Sequence, residues 1–357
     1  MHIPDGYLSP VTCASLFGAA TPFWYAGLRS LRRRLHTRLI PLVSLFAAFS
    51  FVVMMFNIPL PGGTSAHAVG IGLGAALLGP WAAMIAVSLA LGIQALLFGD
   101  GGITALGANC FNMAIAGCLC AWGVYRLVAF RTEATSRRRV VACALGGYVG
   151  LNVAALLAGI ELGVQPLLFH DASGAPLFAP YPLHIAIPAM MIGHLSLAGV
   201  AEMVISGGVY AFLQKTNLSL LGSNAERPQA AGPGSLRPLW VGLAILMILT
   251  PLGLIATGTA WGEWAPKDWR SAAKRAEIQR ASSNIAPPAR IPAGLERLAS
   301  VWTAPMPDYA PPLFREPVFG YFLSALTGGG LIILVCQTSL WFLRGSPLRR
   351  RPQHHNS

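Results

Sequence analysis

Charge is what this sequence has least of. Asp, Glu, Lys and Arg together supply 11% of the 357 residues, less than half of the roughly 25% usual in soluble domains. With 54% hydrophobic residues, the chain cannot clothe a soluble surface. An ordinary soluble enzyme, a disordered protein and a nucleic-acid binder in water are excluded. No G-x-x-x-x-G-K-[ST] loop occurs, so ATP hydrolysis through a phosphate loop is excluded. No H-E-x-x-H occurs, which argues against a zinc protease of that type. Gly99-Asp100-Gly101-Gly102 has no lysine and reads as a tight external turn whose aspartate attracts cations. The N-terminus has no basic run before its first apolar segment and begins with the turn Pro4-Asp5-Gly6, unlike a signal peptide. The six cysteines sit in or beside apolar runs and read as buried free thiols.

What the chain does have is long apolar runs. A bilayer core of about 30 Å takes about 20 helical residues. The pattern predicts an all-α, polytopic membrane protein with about nine helices, over 10–28, 39–58, 67–79, 80–98, 103–130, 139–161, 183–213, 237–257 and 318–343. Gly79-Pro80 divides the third from the fourth, because proline lacks a donor and clashes with the preceding turn. The excess of 25 Lys and Arg over 13 acids lies in short segments between the runs. Arg29 to Arg38, Arg131 to Arg139, Lys215 to Arg237 and Arg344 to Arg351 all fall on one face if there are nine spans. That face is cytoplasmic by the positive-inside rule, with the N-terminus outside and the C-terminus inside. The predicted organisation is a seven-helix module over 1–213, a polar cytoplasmic linker over 214–236, a two-span module over 237–343 with an external loop 258–316, and a basic tail 344–357. The external loop carries eight basic and six acidic residues, an exception that long translocated segments tolerate.

The chemistry begins at the first residue. Histidine at position two, behind a free α-amino group, lets the chain end build its own chelate. The amine and the His2 amide nitrogen close a five-membered ring on a metal, and that amide with His2 Nδ1 closes a six-membered one. Three coplanar nitrogens leave one equatorial position, a geometry suited to Ni(II) and Cu(II). His67 follows the irregular segment Pro59 to Ala66 on the same predicted face and is the natural fourth donor; as a plain residue it would cap a helix. Glu161, His194 and Glu202 are ionisable groups within apolar runs, read either as support around the metal or as helix–helix hydrogen bonds. Ser65 belongs with the same supporting set. His184 lies on nearly the same helix face as His194, ten residues away.

These residues resemble a known family. Met1-His2-Ile3-Pro4-Asp5-Gly6-Tyr7-Leu8-Ser9-Pro10 looks like the N-terminal signature of CbiM/NikM proteins, the substrate-binding membrane components of cobalt and nickel energy-coupling-factor transporters. The segments Gly62 to Ala83 and Gln94 to Asn109 are similar to the same family. Residues 237–343 resemble the small two-span partner often fused to it, through Pro251-Leu252-Gly253-Leu254, Gly294-Leu295-Glu296 and Pro307-Asp308-Tyr309. That partner commonly reads Pro-Asp-Gly-Leu-Glu where this chain has Pro292-Ala293-Gly294-Leu295-Glu296.

The resemblance implies a metal held by the Met1 amine, the His2 amide and ring, and His67. It also implies a separate transmembrane coupling protein, two cytoplasmic ATPase subunits and a prokaryotic plasma membrane. No permanently bound cofactor is expected, only transported Ni(II) or Co(II). Ala14 and Gly18 offer a small-xxx-small face for a partner helix. Two other readings stand beside this one. One is a proton-coupled carrier using Glu161, Glu202 and His194 without ATPases; the other is a membrane enzyme with a metal or haem on His184 and His194.

Overall fold

The computed structural model describes residues 1–34, 39–60, 64–221, 236–256, 258–310 and 316–343. Helices α1 (Pro10–Arg34) and α2 (Leu39–Met54) are followed by a hairpin of β1 (Ile58–Leu60) and β2 (Thr64–Ala66). Then come α3 (Ile71–Leu78), α4 (Pro80–Phe98), α5 (Leu106–Val128), α6 (Arg137–Leu168) and α7 (Leu183–Thr216). The C-terminal part holds α8 (Arg237–Ile255), three short helices α9 (Pro266–Arg270), α10 (Ala272–Ala281) and α11 (Ala293–Leu298), and α12 (Pro317–Leu343). The linker expected over 214–236 lies mostly outside the described residues, as do Arg38 and the tail 344–357.

Among the described residues six helices, α4 to α8 and α12, are long and apolar enough to cross a membrane. The apolar stretch Ile40–Met54 is shorter. The helix expected over 67–79 starts only at Ile71 and has eight residues, about 12 Å of rise. It is no full span, and its first turn is buried among α5, α6 and α7. Gly72 is what lets it in: a Cβ there would stand 2.5 Å from the Cys143 carbonyl oxygen of α6. The all-α expectation also missed the hairpin, in which Pro59 faces Ser65 across an antiparallel register. Its strands are three residues each, too short to leave a period-2 signal. The chain break at Gly79-Pro80 is as expected, with Gly79 at φ 78 and Pro80 opening α4.

Three helices contain π-helical turns, at Gln94–Phe98, Cys110–Gly117 and His194–Ala198. Such turns widen the helix and re-aim side chains, and they concentrate at functional sites. One of the three starts at Gln94, which donates to Asp100 and Tyr309 in the site described below. The six cysteines are free, and all but Cys120 are buried.

The C-terminal part packs onto the rest through α8 and α12, both against α2. The Tyr321 hydroxyl donates to the Met55 carbonyl at 2.8 Å where α2 ends. The segment 258–310 is not an open loop. It folds as short helices across one end of the bundle, where Met306 N–H donates to Leu97 O at 2.9 Å and Gly294 N–H to Leu177 O at 2.7 Å. The described residues of the segments at 1–9, 64–67, 94–106 and 165–183 meet at that same end.

Candidate metal centre

The chain end is driven into the bundle by its own composition. Met1, Ile3, Tyr7 and Leu8 are buried, and each backbone group drawn in with them needs a partner. Asn109, at the opening of α5, supplies two: Ile3 N–H donates to its Oδ1 at 2.8 Å and its Nδ2 donates to Ile3 O at 3.1 Å. Gly102 N–H adds a second donor to Ile3 O at 2.9 Å. The Asp5 carboxylate accepts from Thr104 N–H at 2.8 Å and Ile103 N–H at 3.2 Å. Gly6, at φ 87, turns the chain hard against the α11 backbone, where a Cβ would meet Leu295 O at 2.8 Å. Ser9 N–H donates to Gln165 Oε1 at 3.0 Å.

This threading brings His2 and His67 together. Their rings stack with centroids 4.8 Å apart and planes 23° from parallel. His2 Nδ1 lies 2.6 Å from Asp100 Oδ1. His67 Nδ1 lies 3.1 Å from the Ala68 carbonyl. An imidazole nitrogen facing an acceptor carries the proton, so in each neutral ring the lone pair falls on Nε2. Both Nε2 atoms are buried without a hydrogen-bond partner. The terminal amine, equally buried, lies 3.0 Å from Glu263 Oε1. Among the described residues no group of three or more His, Cys, Asp or Glu side chains is arranged to hold a metal.

The supporting residues divide. Ser65 is buried and lines one cavity with His67 and Asp100. His194 repeats the histidine pattern, with Nδ1 2.7 Å from Met190 O and Nε2 buried and unpartnered. Glu202 does other work. Its oxygens accept from Val69 N–H at 2.8 Å, Gly70 N–H at 2.7 Å, Gly72 N–H at 3.2 Å and the Ser206 hydroxyl at 2.8 Å. It caps α3 from another helix and so fixes the segment that carries His67. Glu161 accepts from Asn112 Nδ2 at 2.8 Å. His184 is exposed whereas His194 is buried, so the two form no shared haem or metal pair.

Three residues at the site were outside the sequence-derived ligand set. Asp100 had a local signal, its Gly-rich turn. Tyr309 donates to Asp100 Oδ2 and receives from Gln94 Nε2 at 2.9 Å, and nothing in the sequence ties it to His2. Glu263 is likewise silent, because its partner is 262 positions away. Leu295, from the segment lacking the usual aspartate, is fully buried, so that motif serves here by packing.

Burial opposes ionisation of Asp100, but the charge and hydrogen bond of His2 outweigh it, leaving its pKa below the usual carboxylate range. Burial first, then the charges of His2 and the terminal amine, holds His67 well below the usual histidine range. An unfolded histidine takes its proton near pH 6.5. Below that pH the unfolded chain binds a proton that folded His67 refuses, so stability falls as pH drops. The slope from this one residue is up to about 1.4 kcal/mol per pH unit. The metal-free protein is expected to lose denaturation midpoint between about pH 6.5 and pH 5, and His67→Ala to flatten that loss. An unchanged slope in the variant would exclude His67 as the group responsible.

Residues 2–220 match the family model CbiM, described as the cobalt uptake substrate-specific transmembrane region. The chain is 57% identical to the fused nickel transport protein NikMN of Rhodobacter capsulatus, over 93% of this chain and 95% of that one. It is 42% identical to the probable fused nickel transport protein LarMN of Lactiplantibacillus plantarum, over 94% and 96%. It is also similar to a solved crystal structure of a truncated transition metal transporter, at 51% identity and a TM-score of 0.57, covering 60% of this chain and 99% of that one. These likenesses mark a transport component rather than an enzyme, against the reading of a haem or metal enzyme on His184 and His194. The chain belongs to the CbiM family of multi-pass membrane metal-uptake proteins, extended by a C-terminal segment that its fused relatives share.

Proposed function

We propose that this chain is the substrate-binding subunit of an ATP-driven energy-coupling-factor importer for nickel, or for cobalt. The metal is held by the Met1 amine, the His2 amide and ring, and His67. One observation carries the reading: two stacked, buried imidazoles with unpartnered Nε2 atoms stand beside a buried terminal amine. A buried polar atom without a partner is costly, and a transported cation on His67 Nε2 removes that cost there. His67 offers Nε2 directly. His2 offers Nδ1 to a chain-end chelate once that atom leaves Asp100, so Asp100 holds the ring in its metal-free position. Nickel is favoured because a planar set of four nitrogens suits Ni(II), and because the relatives at 57% and 42% identity are named for nickel.

The organisation follows from the same reading. Residues 1–213 bind the metal, 214–236 link, and 237–343 close the outer end of the site. The charge pattern puts the N-terminus outside and the basic tail 344–357 in the cytoplasm of a prokaryotic cell. Ala14 and Gly18 are exposed on α1, and a Cβ at Gly18 meets nothing. That face suits a helix of the coupling protein, which with two ATPase subunits drives release. A proton-coupled carrier would need free acids in the spans, yet Glu202 and Glu161 are both engaged in hydrogen bonds.

Reconstitution in liposomes tests this directly. Nickel accumulation is expected only when the coupling protein, the ATPase pair and ATP are all present. Sustained uptake by this chain alone under a proton gradient would overturn the proposal in favour of the carrier.

A further inference from the structure

The nitrogen donors lie too deep to meet a hydrated ion first. The terminal residue's side chain is 1% exposed, whereas that of Glu263, whose carboxylate the amine contacts, is 20% exposed. Glu263 stands on the wall of a cavity of about 410 Å³ that Asp5, Ser65, His67, Asp100 and Asp308 also line. His67, 4% exposed, is part of the same wall. The backbone of the loop that carries Glu263 is anchored on both sides: Glu263 N–H donates to Ala260 O at 3.1 Å, and Trp264 O accepts the Tyr7 hydroxyl at 2.8 Å.

The ion pair between amine and carboxylate already has a spacing that two donors to one ion can keep. Bonds from a divalent cation to nitrogen or oxygen are about 2.0–2.1 Å, so two donors at a right angle lie about 2.9 Å apart. The amine nitrogen and Glu263 Oε1 are 3.0 Å apart. Carboxylate oxygen suits an ion that still carries its waters, and the planar nitrogen set suits the ion once it has shed them.

We propose that Glu263, supplied by the C-terminal segment, is the loading ligand of the site. Its carboxylate replaces one water of the arriving divalent cation. The amine replaces a second water and gives its proton to solvent. The carboxylate leaves as the His67 nitrogen binds. The metal remains divalent throughout: waters and ligands change places, the amine and the His2 amide each release a proton to solvent as their nitrogens bind, and the His2 ring proton passes from Nδ1 to Nε2. The proposal rests on the chain-end site argued above, and its test separates the two.

The full chain with its native start is mixed rapidly with nickel chloride, and the absorbance of the nitrogen-bound metal is followed. Glu263→Gln keeps the shape and removes the charge; its loading is expected to slow at least tenfold, to an unchanged final spectrum and stoichiometry. Glu263→Asp, one methylene shorter, is expected to recover part of the rate. Glu277→Gln removes a carboxylate of the same segment that pairs with Lys274 instead of the amine, and is expected to load normally. Wild-type loading in Glu263→Gln would overturn the proposal. So would equal slowing in Glu263→Gln and Glu263→Asp, slowing in Glu277→Gln to match, or an altered final spectrum. Failure of the unaltered chain to bind nickel would overturn the chain-end site and the loading role with it, a result distinct from slow loading to a normal end point.

Discussion

Stoichiometric nickel binding is expected to vanish when Gly-Ser is placed ahead of Met1. The added residues turn the amine into a peptide amide and move the free terminus two residues from its place beside Glu263. The chain cannot slide to compensate, because Ile3 is pinned by Asn109 on both its N–H and its carbonyl and by Gly102 on the carbonyl. Nor is there room to fold the extra residues away, since Met1, His2 and Ile3 are all buried. His2 then stands fourth from the new terminus, so the five- and six-membered ring sequence no longer closes. Calorimetric titration of the two forms is expected to show a loss of at least about a hundredfold, which is about 2.7 kcal/mol. His67→Ala, which removes one donor of four, is expected to lose less than the extended form. Equal affinity in the extended and native forms would move the site away from the chain end, toward His67 and His194.

Glu202→Ala is expected to be the most damaging single substitution within the apolar spans. It strips an acceptor from three buried backbone N–H groups, those of Val69, Gly70 and Gly72, and from the Ser206 hydroxyl. Leaving a buried donor unpaired costs about 1–3 kcal/mol, so three of them put the loss at about 3–9 kcal/mol. That range reaches beyond the roughly 4–5 kcal/mol that marks an exceptional mutation. The consequence is functional as well, because the segment so released carries His67 into the site. Thermal unfolding in lipid nanodiscs is expected to show a collapse of the transition midpoint, with nickel binding lost in whatever material remains folded. Glu202→Gln keeps one acceptor oxygen and is expected to fall between. A proton-relay role would give the reverse pattern, with stability intact and transport lost, and that outcome would restore the carrier reading.

The sequence by itself determined the membrane class and the apolar helices from α4 onward. Hydrophobic run length is a local property that the bilayer thickness reads directly. It also marked Met1, His2 and His67, because a chelate built from consecutive backbone atoms is visible in consecutive residues. The start of α3 was misjudged for the opposite reason. Residues 67–70 are as apolar as a helix, but Glu202, more than 130 positions away, takes the N–H groups of Val69 and Gly70 and ends the extended lead-in at Ile71. Only the tertiary structure decided that Glu202 is a cap, that Tyr309 steadies Asp100, and that Glu263 meets the terminal amine. Each of those contacts joins groups far apart in the chain whose proximity is set by helix packing, and packing depends on which small residues let two backbones touch, as Gly72 does against Cys143. Periodicity says which face of a helix is apolar, but not which neighbour that face will meet.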